Sequence, residues 1–520
     1  MAWEKQRSLD RIQQRSLDRI QQRWEARDTE ITVSKLTRDM DLENVTLRKG
    51  RRIFGAHIYA SVAGSGGLHS LDTDAHAQSA IQRTALWQAE VDRIAKSFDV
   101  PIIAFQGGRV HLLTFRPIDD DRAIARRATL VARAITLMTR YAFNPLFDTD
   151  LRLAARAAAD IGETVATRGG VRGDSELLFL GNAANQPAKL LSNSVFVVTD
   201  RFMQAHGDQL EHDVVEADDE DAWIVRHSRE TIEAAVASDG IDWSVADSAD
   251  RLAADLEKWP LERFKTSGAT ELIDPLTLSR SNSKLVTAAV VLMDIDGFSA
   301  YVENAETDEV KRDAILALDA IRQEMREILK IDYNGVRIQY QGDNVIGFVH
   351  LPAGDEEQIA TTVAEIAAAM QASMNITLPT LVRDANELDV AVGVSMNDTV
   401  VTCLGKYADR NALLLGPAVT EAERIQMRLS ARQTGIDADT YRALPAAIQQ
   451  LYTWSSSARA YVADDLTAAQ LERIVESASA NGSRRITPTD EPGRLRIGGA
   501  AAAATSSAEH VRSFRPYADR

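Results

Sequence analysis

The sequence is poor in cysteine, in glycine and proline, and in long apolar runs. Its 520 residues include one cysteine, Cys403, which excludes an intrachain disulfide framework and any cysteine-rich metal site and indicates a reducing compartment. Glycine and proline number 28 and 13, too few for a low-complexity chain. The most apolar stretch, Val286 to Met293, is far shorter than the roughly 20 residues needed to cross a bilayer. We therefore expect a globular cytoplasmic protein without a membrane anchor.

Basic charge is in deficit as well. The chain has 59 Lys and Arg against 76 Asp and Glu, a net charge of -17. Neutralising nucleic acid or an anionic membrane needs an excess of basic groups, so neither is expected as a partner. A small anionic ligand stays compatible with this balance if backbone amides or metal ions hold it. The length fits two α/β units of about 200 residues each.

The ends and the middle of the chain differ in pattern from the rest. The octet Q-R-S-L-D-R-I-Q occurs twice in succession, at residues 6–13 and 14–21. Its apolar spacing predicts a charged amphipathic helix within a leader of residues 1–45, which lies on the protein's surface or pairs two chains. Residues 240–284 are charged and mostly of helical pattern, which indicates a connector. Residues 482–520 lack any amphipathic pattern and are predicted to be a flexible tail.

Between these segments, residues 46–239 and 285–481 repeat one order of predicted strands and helices. Two stretches align without gaps. F-Q-G-G-R-V, starting at Phe105, matches Y-Q-G-D-N-V, and F-L-G-N-A-A-N-Q-P-A-K, starting at Phe179, matches L-L-G-P-A-V-T-E-A-E-R. Because internal similarity at this scale fixes the architecture, we infer a tandem duplication whose halves have diverged in charge.

Two acidic residues of the second half stand at strand ends. Asp294 ends the first apolar strand, and Asp343 lies in the turn of the next hairpin. Carboxylates at the ends of adjacent strands can converge on a pair of divalent cations, with the Ile295 carbonyl as a further hard ligand. The backbone N–H groups of Gly297, Phe298 and Ser299 could then face a phosphate chain. The alternative is a solvated strand end and an ordinary turn residue.

The motif M-D-I-D-G-F-S, followed by Q-G-D-N-V-I-G-F, resembles the class III nucleotidyl cyclases over most of residues 285–480 and more weakly over 50–240. The resemblance implies two ferredoxin-like α/β domains paired head to tail, here as a fused pseudo-heterodimer. It implies that Asp294 and Asp343 bind two divalent cations, Mn²⁺ or Mg²⁺. It also implies conversion of a nucleoside triphosphate to a 3′,5′-cyclic nucleotide and pyrophosphate.

In that family the partner domain supplies an Asn and, four residues later, an Arg, which orient the ribose and stabilise the reacting phosphorus. The matching positions in the first half are Asn185 and Lys189, and an i, i+4 pair lies on one helical face. Lysine keeps the charge but not the planar fork of arginine. The first half also has Gly108 at the place of Asp343, and Tyr59 to Ser61 where Asp294 would stand. We therefore expect one composite site per chain.

The sequence also allows a site formed between two chains. The second halves of two chains could pair with each other as a homodimer. Thr420, at the Asn position of the second half, or Arg424, at the basic one, would then serve the site.

The residues at the expected base-binding positions differ from those of the adenylate cyclases. They carry a Lys and an Asp or Thr where this chain has Ala104 and Leu178, whose side chains cannot form hydrogen bonds. Phe105 could offer stacking. This loss and the opening G-A-H-I-Y-A-S-V are similar to the bacterial pyrimidine cyclases of the Pycsar antiphage type, which implies UTP or CTP as substrate and a cyclic product that activates a separate effector protein. The alternatives are an adenylate cyclase with atypical base recognition and a catalytically silent nucleotide sensor.

Overall fold

The computed structural model describes residues 9–25, 32–37, 42–62, 71, 73–171, 174–191, 195–217, 221–303, 308–382, 388–405, 410–467, 470, 471 and 474. The predicted tail, residues 482–520, lies outside these. All of the described residues belong to one compact unit. No helix within the described ranges is long and apolar enough to span a membrane. The domain limits expected from the sequence stay predictions.

The first half forms a nine-stranded mixed sheet of order β3-β4-β2-β5-β7-β9-β8, with β1 beside β2 and β6 beside β5. The pairs β1–β2 and β5–β7 are parallel, and the other pairs are antiparallel. The strands are β1 (Thr32–Lys35), β2 (Lys49–Ser61), β3 (Ile102–Gln106), β4 (Arg109–Thr114), β5 (Arg156–Val171), β6 (Asp174–Leu180), β7 (Phe196–Thr199), β8 (Asp213–Glu216) and β9 (Ala222–Arg226).

The second half repeats this sheet strand for strand, in the order β12-β13-β11-β14-β16-β18-β17, with β10 beside β11 and β15 beside β14. An α/β fold of two equivalent halves, as predicted, is confirmed. The strands are β10 (Thr266–Ser267), β11 (Ser283–Asp296), β12 (Val336–Gln341), β13 (Asn344–Val349), β14 (Asp389–Leu404), β15 (Asn411–Leu415), β16 (Gln433–Ile436), β17 (Thr453–Ser455) and β18 (Ala460–Asp464).

The helices follow the same duplicated order, since α2 to α5 of the first half correspond to α9 to α12 of the second. Their bounds are α1 (Leu9–Glu25), α2 (Asp74–Ser97), α3 (Asp121–Met138), α4 (Asn182–Lys189), α5 (Asp200–His206), α6 (Arg229–Ser238), α7 (Val245–Lys258), α8 (Phe298–Glu303), α9 (Asp308–Glu327), α10 (Glu356–Leu381), α11 (Pro417–Gln426), α12 (Ala438–Ala443) and α13 (Ala446–Gln449).

Glycine backbone angles confirm the duplication at the two aligned motifs. Gly107 and Gly342, in the turns β3–β4 and β12–β13, both have φ of 63°. Gly181 and Gly416, which precede α4 and α11, have φ of 135° and 133°. A side chain is strained at such angles, so both halves keep glycine where the chain must turn sharply.

In each half, one long and one short helix pack on the two central strands of the sheet. Helices α3 and α4 contact β2 and β5, and helices α10 and α11 contact β11 and β14. Between the halves, Arg337 Nη1 lies 3.0 Å from Glu176 Oε1, and the Tyr340 N–H donates to Glu176 Oε2 at 3.0 Å. These contacts hold the β12–β13 hairpin of the second half against the first half.

The leader helix α1 packs on α9 and α10 of the second half. Ile20 is fully buried there, and Ser16 Oγ and Arg19 Nε donate to the buried Glu324 carboxylate at 2.7 and 3.0 Å. The leader then joins the first sheet through β1. The predicted helix is confirmed, and within this chain it contacts the second half.

Candidate active site

The two acidic residues singled out from the sequence lie on neighbouring strands of the second sheet. Asp294 is the third-last residue of β11, and Asp343 occupies the turn between β12 and β13. Strands β11 and β13 pair directly, with Met293 opposite Val345. Both carboxylates are only partly exposed. The sheet therefore brings them to one edge, as the motif spacing predicts.

Each carboxylate resists ionisation. Burial raises the pKa of Asp294 to about 6, and the charge of the adjacent Asp296 adds to this effect. Burial, followed by repulsion from Asp294, raises the pKa of Asp343 well above its usual range. A cation bound beside these two buried acids would offset the cost of ionising them and the repulsion of Asp343 by Asp294.

Five groups lower the pKa values of this pair, among them the backbone N–H of Asp343, which lowers the pKa of its own carboxyl group. The side-chain hydrogen bond from Gln426, the charge of Lys189 and the Ile295 backbone N–H lower the pKa of Asp294. Arg322 and Lys189 lower that of Asp343. Lys189 therefore lies within electrostatic range of both carboxylates, although it belongs to the other half of the chain.

Gln426 was missed by the sequence reasoning. It ends α11, its side chain is 8% exposed, and its Nε2 donates to Asp294 Oδ2 at 3.0 Å. It fixes one oxygen of this carboxylate. The only available signal was its position two residues beyond Arg424 on a helix that already carried candidate residues.

Helix α4 of the first half carries Asn185 and Lys189, the residues expected to bind the ribose and phosphate, and brings them to the sheet edge where Asp294 and Asp343 lie. It starts after the sharp turn at Gly181 and packs through the buried Ala183, Ala184 and Pro187. Asn185 Oδ1 lies 4.0 Å from the point where a Cβ on Gly342 would stand. One turn later comes Lys189. The predicted meeting of Asn185 and Lys189 with the acidic hairpin thus occurs within one chain.

A small cavity marks this junction between the halves. Its walls come from β6, the start of α4, α8 and the β12–β13 turn. The lining residues are Phe179, Leu180, Gly181, Asn185, Phe298, Val302, Gly342 and Asp343.

The segment expected to face phosphate lies beside the same cavity. Gly297 forms a turn with φ of 82°, and Phe298 and Ser299 begin the short helix α8. The ring of Phe298 is buried in the core of the second half and contributes to the cavity wall.

The three weak base-binding candidates are placed differently. Ala104 lies, partly buried, where β3 shifts register against β4, and Phe105 packs against the core of the first half. Leu178 is 7% exposed and packs into the core of the second half. The first half contributes Phe179 to the cavity wall instead, a residue that the sequence reasoning treated as part of a motif and not as a contact.

A second cleft lies at the equivalent place on the other side of the junction. There the Gly107–Gly108 turn of the first half faces Thr420 and Glu423 on α11, and Arg109 Nη2 lies 2.6 Å from Glu423 Oε1. The turn carries no carboxylate. In the described ranges no group of three or more His, Cys, Asp or Glu side chains is arranged to hold a metal.

Arg424, the equivalent of Lys189, is engaged elsewhere. Its guanidinium pairs with Glu421 at 2.6 Å and donates to the carbonyl oxygens of Ala458 and Arg459 at 2.7 and 2.9 Å. All of these partners belong to its own half.

Known proteins resemble this chain along most of its length. It is 28% identical over 447 residues to a uridylate cyclase of Pseudomonas aeruginosa, which covers 81% of this chain and 84% of the relative. It is 24% identical over 431 residues to a uridylate cyclase of a Rhizobium strain, covering 76% of this chain and 80% of the relative. No family model matches.

Among solved structures, a class III adenylyl cyclase-like ATP-binding protein from Pseudomonas aeruginosa superposes with a TM-score of 0.77 at 24% identity, over 89% of this chain and 98% of that one. The chain therefore has the class III cyclase fold in its two-half form. The predicted resemblance, to these cyclases and in particular to bacterial uridylate cyclases, is confirmed.

Proposed function

We propose that this protein is a nucleotide cyclase that converts a pyrimidine nucleoside triphosphate, UTP or CTP, to its 3′,5′-cyclic nucleotide with release of pyrophosphate. The observation that carries the proposal is the junction described above. Two buried carboxyl groups with raised pKa values, Asp294 and Asp343, lie near an amide and an ammonium group from the other half, Asn185 and Lys189.

The oxygen donors at this edge suit hard divalent cations. Asp294, Asp343 and the Ile295 carbonyl are the ligand types that Mg²⁺ and Mn²⁺ prefer. Burial, followed for Asp343 by repulsion from Asp294, raises the pKa of both carboxyl groups, and a bound cation would offset that cost of ionisation. In our proposal these residues hold two cations, which would neutralise charge on the attacking and leaving oxygens.

The chain's own groups bind and orient the substrate. Asn185 hydrogen-bonds the ribose, and Lys189 places its charge beside the α-phosphate. The ribose 3′-oxygen forms a bond to the α-phosphorus, while the bond to the β-phosphate oxygen breaks and pyrophosphate leaves. The hydroxyl proton goes to solvent or phosphate. Positioned charges of this kind contribute several kcal/mol to such a reaction, on the order of 3–4 kcal/mol per group.

A pyrimidine is supported by two observations. The relatives are named uridylate cyclases. In addition, Ala104 and Leu178 offer no side-chain hydrogen bond at the positions where adenylate cyclases read adenine.

The direct test incubates the protein with each of the four triphosphates and Mn²⁺ or Mg²⁺, followed by mass spectrometry of the products. The proposal expects cyclic UMP or cyclic CMP as the main product. Cyclic AMP as the main product would favour an atypical adenylate cyclase. No cyclic product from any triphosphate would favour a nucleotide-sensing protein.

As part of the same proposal, the cyclic product serves as a signal in antiphage defence and acts on a separate effector protein. The support is the resemblance to bacterial pyrimidine cyclases. Cells that carry this gene should accumulate the cyclic nucleotide after phage infection and not before, measured by mass spectrometry of extracts. An unchanged level during infection would contradict this role.

Gln426 gives the site a testable pH dependence. Its hydrogen bond lowers the pKa of Asp294, so Gln426→Leu raises that pKa further. The carboxylate then ionises only at higher pH, and the acidic limb of the activity profile moves upward by up to about one pH unit. The measurement is kcat/KM against pH from 5 to 9. A shift of the acidic limb to lower pH would contradict the assigned role.

A further inference from the structure

The sheet face of the first half carries aromatic side chains, three of them polar, at positions where the second half has aliphatic ones. His57, Tyr59, His111 and Phe179 stand at positions equivalent by strand register and motif to Val290, Leu292, Ile346 and Leu414. Three of the aliphatic residues, Leu292, Ile346 and Leu414, line the second cleft, as does Gln339, the equivalent of Ala104. By the internal symmetry, Tyr59, Ala104, His111 and Phe179 border the composite site.

The two histidines form part of a hydrogen-bonded chain. His57 Nδ1 lies 2.9 Å from His111 Nε2, and His57 Nε2 lies 3.2 Å from Thr164 Oγ1. The hydroxyl of Thr164 donates to the Ile53 carbonyl at 3.4 Å. Because that hydroxyl has one proton, its oxygen is left to accept from His57 Nε2–H.

This arrangement sets the tautomer of both rings. His57 is protonated on Nε2, so its Nδ1 accepts from His111 Nε2–H. Burial lowers the pKa of His57 well below its usual range and that of His111 to about 3, so neither ring carries two protons at neutral pH. His111 Nδ1 is therefore a lone-pair acceptor, and among the described residues it has no hydrogen-bond partner.

The surroundings hold His111 in one orientation. Its ring stacks on Tyr59 at 4.4 Å between centroids, and the rings of His57 and His111 lie edge-on to Phe179 at 4.9 and 5.9 Å. Its cross-strand partner is Ala104, whose methyl group fills little space on this face. Phe179 in turn contributes to the cavity that Asn185 and Asp343 line.

We propose that His111 is the base-selecting residue of the site and that its Nδ1 accepts a hydrogen bond from N3–H of uracil. The inference rests on the proposed function and names UTP as the substrate. A fixed acceptor matches uracil, whose N3 carries a proton, and opposes cytosine, whose N3 carries a lone pair. Thr164 and His57 act as positioning residues, since they hold the tautomer of His111.

The test compares UTP, CTP and N3-methyl-UTP, which lacks the N3 proton. The unaltered protein should prefer UTP over N3-methyl-UTP by at least about 100-fold in kcat/KM, because the acceptor would be left unpaired. His111→Ala should lose about tenfold or more with UTP and reduce the preference over N3-methyl-UTP to within about threefold. An unchanged preference in His111→Ala would overturn the inference.

A second set of variants leaves His111 in place and alters the hydrogen-bonded chain behind it. These variants keep the inference testable if His111→Ala impairs folding. Thr164→Val removes the acceptor for His57 Nε2–H and should lower the preference of UTP over CTP by about three- to tenfold, while Thr164→Ser retains it. Thr167→Val is the matched control, because Thr167 is equally buried on β5 and its hydroxyl has no partner in the described part of the chain. Equal effects of Thr164→Val and Thr167→Val would contradict the role of the hydrogen-bonded chain.

The proposed cyclase function and the assignment of His111 can be disproved separately. If the unaltered protein forms no cyclic nucleotide, the proposed function is wrong. If it forms cyclic UMP while His111→Ala and Thr164→Val keep the base preference, only the assignment of His111 is wrong. A preference for CTP over UTP would show that His111 presents a proton in place of a lone pair and would likewise overturn it.

Discussion

Replacing Asp294 with asparagine is expected to lower cyclisation at least about 1000-fold, because the cation-binding charge at the strand end is lost. Asp343→Asn should have an effect of the same order. Both losses should appear in kcat/KM at saturating Mn²⁺ or Mg²⁺. Activity within tenfold of the unaltered protein in either variant would contradict the assigned role.

Asp294→Asn should also stabilise the folded protein in the absence of divalent cations. The pKa of Asp294 is about 6 in the fold, against an ordinary value near 4. As pH rises from 4 to 6 the unfolded chain loses this proton before the folded one does, so stability falls and stays lower above pH 6. Asp294→Asn removes that penalty, and we expect a gain on the order of 1–2 kcal/mol at pH 7.5 and little change at pH 4.

Denaturant unfolding in EDTA at both pH values measures this gain. Asp296→Asn is the matched control, because Asp296 is exposed two residues further along β11 and accepts from the Ala431 N–H at 2.9 Å. It should keep most of the activity. A destabilised Asp294→Asn at pH 7.5 would show that the carboxylate is held by favourable contacts and is not under strain from burial.

Asn185→Ala and Lys189→Ala are each expected to lower kcat by about 100- to 1000-fold, because each removes one group that binds the reacting part of the substrate. Lys189→Arg keeps the charge and should stay within about tenfold of the unaltered protein. Lys189→Ala should also move the acidic limb of the pH profile upward, since its charge lowers the pKa of Asp294 and Asp343.

The second half supplies matched controls for this pair. Thr420→Ala and Arg424→Ala alter the equivalent helix positions. Thr420 lies at the second cleft, and Arg424 is hydrogen-bonded within its own half. They should leave kcat within about threefold, in keeping with surface or peripheral changes. A loss in the second pair equal to that in the first would favour a site made from two second halves.

Much of the architecture could be predicted from the sequence because the duplication is visible in short motifs. The apolar stretch Val286 to Met293 lies within β11, Ser283–Asp296, and Asp343, expected in a hairpin turn, lies between β12 and β13. Alternating and continuous apolar runs fix such elements locally. The aligned turns at Gly107 and Gly342 gave the equivalence of the halves, which the backbone angles bear out.

The groups around the site could not be predicted, because they depend on contacts between distant segments. Gln426 reaches Asp294 from 132 positions along the chain, and Arg19 reaches Glu324 from 305. His57 and His111 stand in apolar strands, where a single polar residue gives no sign of its partner. Only the pairing of β2 with β4 and β5 brings them together with Thr164.

The central claim is that both halves of one chain build one site. Mixing an Asp294→Ala chain with an Asn185→Ala chain, each inactive alone, tests it most directly by the rate of cyclic nucleotide formation at equal concentrations. The account predicts no recovery over the background of either variant. Recovery of a substantial fraction of the unaltered rate would show that the site is shared between chains and would contradict it.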